Sequence, residues 1–436
     1  MAQETIMNPS ATGDVEAYIA AAGKAAWEVP GIDPSTPRRR IGTVGIIGAG
    51  TMGGGIAMNF ATAGIPVRIV DTTQDALDRG LRVVRGNYQR SADKGRFPRH
   101  EVEARMARLD GRLDIAELGN CDLVIEAVFE NMDLKRRIFA ELDKVMKPGA
   151  ILATNTSALD IDEIASATSR PADVIGLHFF SPANVMKLLE IVRAGQTAPD
   201  VVATCMDLAR TIGKVAVLVG VCPGFVGNRI LFARQKQALR LIRKGLMPWD
   251  IDSAINAFGF RMGPFQMSDL AGLDIGWSKG ATTQNPIRDA LCEIDRRGQK
   301  TGAGYYDYDD ARRPVPSDIT AGIIRDITGA EPIAMSRDEI IETCIFPMIN
   351  EAVKILEENK AQRPSDIDVV WLNGYGWPAE KGGPMFYGDM IGAKPVLARM
   401  ERLGADDPEF TPAACLRRLA ESGGSFTAID CGGLKT

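Results

Sequence analysis

The chain reads as an α/β protein, a doubly wound parallel sheet followed by two mainly α-helical domains, and three observations predict this. From 41 to about 221, short apolar runs alternate with helix-like segments. The first run breaks into closely spaced glycines, Val44-Gly45-Ile46-Ile47-Gly48-Ala49-Gly50-Thr51-Met52-Gly53. Beyond Gly220-Val221-Cys222-Pro223-Gly224, a junction punctuated by Pro and Gly, the chain is mainly helical and carries a weak internal repeat.

Taken in order, residues 1–40 begin polar, offer one short amphipathic helix at about Val15–Trp27, and end in a Pro-rich linker closing on Arg38-Arg39-Arg40. Residues 41–221 form the sheet domain. Its second strand, Val67-Arg68-Ile69-Val70, runs into Asp71, and a long helix is expected from Asp75 to Gly95. Asp122–Val128 and Ala150–Asn155 read as buried strands. Val174–Phe180 and Leu188–Val192 follow, separated by the turn Ser181-Pro182-Ala183-Asn184. A helix at about Ala198–Ile212 and a strand at Lys214–Val219 close the domain.

Residues 222–315 and 333–436 are expected to be two copies of one helical domain. Ala238-Leu239-Arg240-Leu241-Ile242 recurs as Ala352-Val353-Lys354-Ile355-Leu356, and Asp250-Ile251-Asp252 as Asp366-Ile367-Asp368. Gly263-Pro264-Phe265 recurs as Gly383-Pro384-Met385, with Asp269 and Asp389 following at equal distances. Ala311–Pro332 reads as a connector.

The glycine spacing is that of a Rossmann-type dinucleotide turn. Gly48 permits the sharp exit from the strand, Gly50 admits a pyrophosphate to the backbone, and Gly53 lets the helix pack close to the strand. That helix, expected from Met52 to about Ala63, aims free N–H groups and its positive dipole end at the phosphates. Asp71 stands where a carboxylate accepts from both ribose hydroxyls, and its charge repels a 2′-phosphate. Thr72 and Thr73 follow it, with no adjacent arginine, so NAD is expected rather than NADP.

Composition excludes other classes. Formal charge is 51 − 56 = −5 with dispersed basic residues, which offers no nucleic-acid footprint. Seven scattered cysteines without a CxxC pair and only two histidines argue against a zinc site and read as free thiols. No run is long enough to span a membrane, and no leader or transit pattern opens the chain, so a cytoplasmic location is expected.

If histidine is the acid/base, only His100 and His178 are available. His100 lies in a charged, solvated context, whereas His178 ends an apolar strand beside a turn, where doubly wound sheets place ligands. Glu190 interrupts the apolar run Leu188-Leu189-Glu190-Ile191-Val192, where an unpaired carboxylate is expensive. If the two strands run antiparallel, Glu190 falls beside His178, fixing its tautomer and stabilising its imidazolium for use as a general base.

His178-Phe179-Phe180-Ser181-Pro182, with Glu190 downstream, follows the glycine turn and Asn155-Thr156-Ser157; this set resembles the L-3-hydroxyacyl-CoA dehydrogenase family. Cys222-Pro223-Gly224-Phe225-Val226-Gly227-Asn228-Arg229 is similar to that family's entry into its helical domain. The resemblance implies that His178 takes the proton of a C3 hydroxyl, that Glu190 orients it, and that Ser157 and Asn228 bind the reacting oxygen and substrate. It implies cofactor contacts from Gly48, Gly50, Thr51, Met52, Gly53, Asp71, Glu130, Lys135, Ser157, Ser181 and Lys300. It implies acyl-CoA contacts from Ser157, Asn228, Lys94 and Lys135. Ser181 stands where many members carry asparagine, which weakens that contact. Read without the family, Ser157 is a helix N-cap with Asp160 three residues on, Asn228 an early helix residue, Glu130 an exposed helix-start charge, and Lys135, Lys300 and Lys94 solvated tails.

Ala26-Trp27-Glu28-Val29-Pro30-Gly31 resembles the linker ahead of the dehydrogenase half of multifunctional β-oxidation proteins. The resemblance therefore implies dehydrogenase without hydratase activity, acting on acyl-CoA, with a separate enoyl-CoA hydratase or thiolase as possible partners. The repeat is expected to give a monomer that mimics the family's dimer within one chain, or else a homodimer. Two rival readings stand beside this one: a dehydrogenase of a free hydroxy acid such as L-gulonate, and a non-catalytic NAD-binding scaffold.

Overall fold

Strands β1 (Val44–Ile47), β2 (Val67–Val70), β3 (Leu109–Arg112), β4 (Leu123–Glu126), β5 (Ile151–Thr154), β6 (Val174–Phe179), β7 (Leu188–Arg193) and β8 (Val215–Gly220) form one sheet. Their order is β3-β2-β1-β4-β5-β6-β7-β8. The structure is a computed structural model describing residues 12–280 and 282–431. Every pairing is parallel except β6 with β7, which is antiparallel. Strand order reverses between β1 and β4, and ligands of doubly wound sheets sit outside the carboxyl ends at such a switch point.

The strands are short and apolar because both faces are covered. Val44, Ile46, Ile125, Ile151, Ile175 and Ile191 are each fully buried in one core with Ile56 and Phe60. Helices α1 (Thr12–Ala25), α2 (Thr51–Thr62), α3 (Gln74–Asp93), α4 (Glu101–Met106), α5 (Met132–Val145), α6 (Ile161–Ala165) and α7 (Pro199–Thr211) complete this part. Strand β3 has no counterpart among the expected elements. Its sequence Leu-Asp-Gly-Arg has one apolar residue, and as the outermost strand it needs no apolar run.

The remaining helices are α8 (Gly227–Arg243), α9 (Pro248–Phe258), α10 (Pro264–Ala271), α11 (Pro286–Glu293), α12 (Asp318–Thr328), α13 (Arg337–Glu357), α14 (Pro364–Gly374), α15 (Pro384–Ile391), α16 (Ala393–Asp406) and α17 (Ala414–Ser422). The α9 and α14 helices are both 11 residues with proline in the first turn, and α10 and α15 are both 8 residues that begin at proline after a glycine N-cap. Asp269 accepts the N–H groups of Tyr305 and Tyr306, and Asp389 those of Phe426 and Thr427. The expected connector is not structureless: Ser317 caps α12, which buries Thr320, Ala321 and Ile324.

The chain divides into two compact units. A helical unit holds Ile230–Lys354 and Gly376–Ile429. Within it, Phe258 meets Trp377 and Tyr387 at ring separations of 5.5 and 5.0 Å. A sheet unit holds residues 12–229, Ile355–Tyr375 and 430–431. Its N-terminal segment is pinned by Tyr18, whose hydroxyl donates to Asp368 at 2.6 Å, and by Arg39, bonded to Asp173 and Asp200 at 2.7 and 2.8 Å. Cys121, Cys205, Cys222, Cys292 and Cys344 are free and buried, but Cys415 and Cys431 are disulfide-bonded, so the reading of all seven as free thiols is corrected.

Candidate active site

At the end of β1, Gly48 turns with φ +101°, and a Cβ there would lie 2.7 Å from the Ala127 carbonyl oxygen. Gly53 sits so close to that turn that a Cβ would fall 1.8 Å from the Gly48 oxygen. Packing therefore explains these two glycines. It does not explain Gly50, whose Cβ would meet nothing within 4 Å. Gly50 is the N-cap of α2 and offers no side chain to the first-turn N–H groups, with Thr51 and Met52 next. An open backbone facing a positive helix end suits an anionic ligand. Asp71, just past β2, accepts the Ala49 N–H at 2.8 Å and the Thr72 N–H at 2.7 Å, which aims its carboxylate beside the turn.

At the ends of β4 and β5 lies a buried charge network. The Lys135 ammonium is 2.7 Å from Glu126 and 3.4 Å from Glu130, with Lys135 1% exposed and Glu126 0%. Glu126 also accepts from the Val128 N–H and the Thr154 hydroxyl. Glu130 accepts from the Thr156 hydroxyl at 2.7 Å and from the Ser157 N–H and hydroxyl at 2.8 and 3.1 Å. Burial alone raises the Glu130 carboxyl, but these donors and the Lys135 charge more than offset it and hold the group below its ordinary value. Lys135 is thus no solvated tail, and its charge is committed to two carboxylates. Ser157 is no helix cap either; Asp160 caps α6.

Antiparallel pairing of β6 with β7 sets His178 opposite Glu190. His178 Nδ1 and Glu190 Oε2 are 2.8 Å apart, both side chains buried. The other carboxylate oxygen, Oε1, accepts the Gly227 N–H at 2.9 Å. That N–H is delivered by a turn in which Gly224 and Phe225 have φ +76° and +49°, and Phe225 packs 5.6 Å from the imidazole. Asn228, the second residue of α8, accepts a hydrogen bond at Oδ1 from the Tyr375 hydroxyl at 2.7 Å.

Ser181 is exposed at the end of β6, and Lys94 is exposed at the C-cap of α3. Lys300 belongs to the helical unit, where it pairs with Asp274. His178, Glu190, Gly227, Asn228 and Tyr375 form one connected group in the sheet unit, and Glu126, Glu130, Lys135 and Ser157 another. Two members escaped the sequence reading. Glu126 interrupts the apolar run Leu123–Val128 just as Glu190 interrupts β7, so the same signal could have found it. Tyr375 carries no such signal.

The 3-hydroxyacyl-CoA dehydrogenase NAD binding domain matches residues 43–222, and the 3-hydroxyacyl-CoA dehydrogenase C-terminal domain matches 224–308 and again 340–428. The chain belongs to the 3-hydroxyacyl-CoA dehydrogenase family. The peroxisomal bifunctional enzyme of Cavia porcellus is 42% identical over 97% of this chain and 62% of that protein. The chain thus spans about three fifths of the length of such curated relatives. The dehydrogenase part of multifunctional enzyme 1 from C. elegans is 31% identical, covering 93% of this chain and 99% of that one with a TM-score of 0.66. For 3-hydroxybutyryl-CoA dehydrogenase from Escherichia coli K12 the identity is 26%, with coverage of 88% and 99% and a TM-score of 0.76. Curated relatives are peroxisomal or glyoxysomal by name, which overturns the cytoplasmic expectation. Composition and hydrophobic patterning do not report such locations, because receptor-read addresses need no hydrophobic segment.

Proposed function

We propose that this chain interconverts (S)-3-hydroxyacyl-CoA and 3-oxoacyl-CoA with NAD, using His178 as general base. The observation that carries this is the His178–Glu190 pair, buried near the carboxyl edge of a sheet that also carries the dinucleotide turn. A carboxylate on Nδ1 selects the tautomer with its proton there, leaving the Nε2 lone pair to accept the substrate hydroxyl proton. The imidazolium so formed is stabilised by Glu190, whose position the Gly227 N–H fixes. NAD, when bound, supplies the hydride acceptor. Gly48, Gly50, Thr51, Met52 and Gly53 would hold its pyrophosphate and Asp71 its ribose, with Glu130, Lys135, Ser157, Ser181 and Lys300 as further contacts.

Ser157 and Asn228 would hold the reacting oxygen, the serine by turning its hydroxyl away from Glu130. Lys94, exposed, is free to meet a CoA phosphate, whereas Lys135 acts on the substrate region mainly through Glu130. We also propose that residues 222–315 and 333–436 are duplicated domains standing in for a dimer contact within one chain, which favours a monomer. That both copies enter one compact unit supports this. A separate hydratase or thiolase would complete the reaction sequence.

The test is turnover of acetoacetyl-CoA with NADH beside free hydroxy acids such as L-gulonate. Activity confined to the free acid would assign the site to the rival dehydrogenase, and NADH binding without turnover would favour the scaffold.

A further inference from the structure

We infer that Tyr375, contributed by the second helical copy, is a positioning residue for Asn228, so that the redox site is complete only with that copy; this rests on the substrate-holding role proposed for Asn228. Tyr375 is the C-cap of α14, and its hydroxyl donates to Asn228 Oδ1 at 2.7 Å. An asparagine amide can turn either its oxygen or its NH2 toward a ligand. Occupation of Oδ1 by the tyrosine leaves the NH2 as the group presented elsewhere, the polarity that a reacting oxygen needs. Burial and the nearby Glu190 charge hold the phenol well above its ordinary value, so it remains a donor.

The tyrosine is itself fixed from several sides. It stacks on Trp371 at 4.5 Å and meets Phe180 edge-on at 5.4 Å, and Phe180 lies 4.4 Å from the His178 ring. Its ring and hydroxyl also explain Gly227, where a Cβ would come within 2.4–2.8 Å of them. Gly227 is the residue whose N–H holds Glu190, so one tyrosine packs on the support of the base and bonds to the next residue along.

The segment that carries it, Ile355–Tyr375, is tied to the sheet unit. The Gly220 N–H donates to the Lys360 carbonyl at 2.8 Å, and Val219 bridges Ala361. Arg229, beside Asn228, forms a two-pronged pair with Glu358 at 2.6 and 2.8 Å. Gly374 lies so near β7 that a Cβ would fall 2.4 Å from Leu188. These ties place the second copy's helix against the residues that launch α8.

The experiment uses the full chain with NADH and acetoacetyl-CoA. Tyr375→Phe keeps the ring and its packing and removes only the donor. Expected is a fall in kcat of about tenfold, the effect of one lost hydrogen bond of about 1.4 kcal/mol. NADH affinity and the thermal midpoint should stay at wild-type values. Asn228→Ala should lose more, and Tyr375→Phe added to it should cost nothing further, because the tyrosine acts only through that amide. Wild-type kcat in Tyr375→Phe, or a full multiplicative loss in the double variant, overturns the inference. Wild-type kcat in Asn228→Ala instead removes the Asn228 role itself, and the inference with it.

Discussion

Glu126 and Lys135 form an ion pair of 2.7 Å with neither side chain reaching solvent. Such a pair adds little net stability when intact, because desolvation offsets the attraction, but removing one partner strands the other charge. Lys135→Ala leaves Glu126 with only neutral donors, the Val128 N–H and the Thr154 hydroxyl. The expected loss is about 3–5 kcal/mol of unfolding free energy, measured by urea denaturation without cofactor. Lys135→Ala together with Glu126→Gln should recover part of it. A loss below about 1 kcal/mol in the single variant would show that the pair is solvated.

Glu190 uses its two oxygens for two different donors, and this makes the isosteric amide a sharp probe. In Glu190→Gln one position must become NH2. Facing Gly227 it meets another donor; facing His178 it offers a proton to Nδ1 and so stabilises the wrong tautomer, with the proton on Nε2. Either way kcat should fall about 10²- to 10⁴-fold, the usual range for losing a general base. His178→Gln should fall at least as far, with NADH affinity close to wild type. Near-normal kcat for Glu190→Gln in stopped-flow reduction of acetoacetyl-CoA would separate the carboxylate from the chemistry.

Much of this was legible in the residues, for identifiable reasons. The strands β1, β2 and β4 to β8 are apolar runs because both faces of the sheet are covered, and such runs are visible without coordinates. Glu190 was legible because a carboxylate inside such a run demands a partner. Strand β3 was not, since an edge strand can be polar, and α12 was hidden by the Pro- and Arg-rich stretch before it. Tyr375 was illegible in principle. Its bond to Asn228 spans 147 residues, and no local pattern encodes where a distant helix cap will land.

Two glycines of the nucleotide turn should respond oppositely to the same added methyl. At Gly53 the methyl meets backbone, 1.8 Å from the Gly48 oxygen, so Gly53→Ala should distort the turn and lower the thermal midpoint. At Gly50 it meets nothing, and the backbone has an ordinary φ of −68°, so Gly50→Ala should fold with an unchanged midpoint. If that space serves the pyrophosphate, NADH affinity should drop at least tenfold in Gly50→Ala, read by fluorescence titration. Unchanged affinity would move the phosphates elsewhere.

Asp252 and Asp269 give the helical unit an expected pH dependence. Burial pushes both carboxyls up to about 6, against the pull of the backbone N–H groups and tyrosine hydroxyls that donate to each. A folded value above the unfolded one means the folded state binds the proton more tightly. The contribution is therefore complete below the unfolded value near 3.8 and is lost as pH rises through about 6. Glu130, Asp122 and Asp200 are shifted the other way, so their contributions disappear only at lower pH. Between pH 7.5 and 5 the two buried aspartates should thus add stability on acidification, on the order of 1–3 kcal/mol each. Asp252→Asn cannot titrate and should flatten that slope in calorimetric scans at fixed ionic strength. An unchanged slope would place the Asp252 proton off the carboxylate throughout this range.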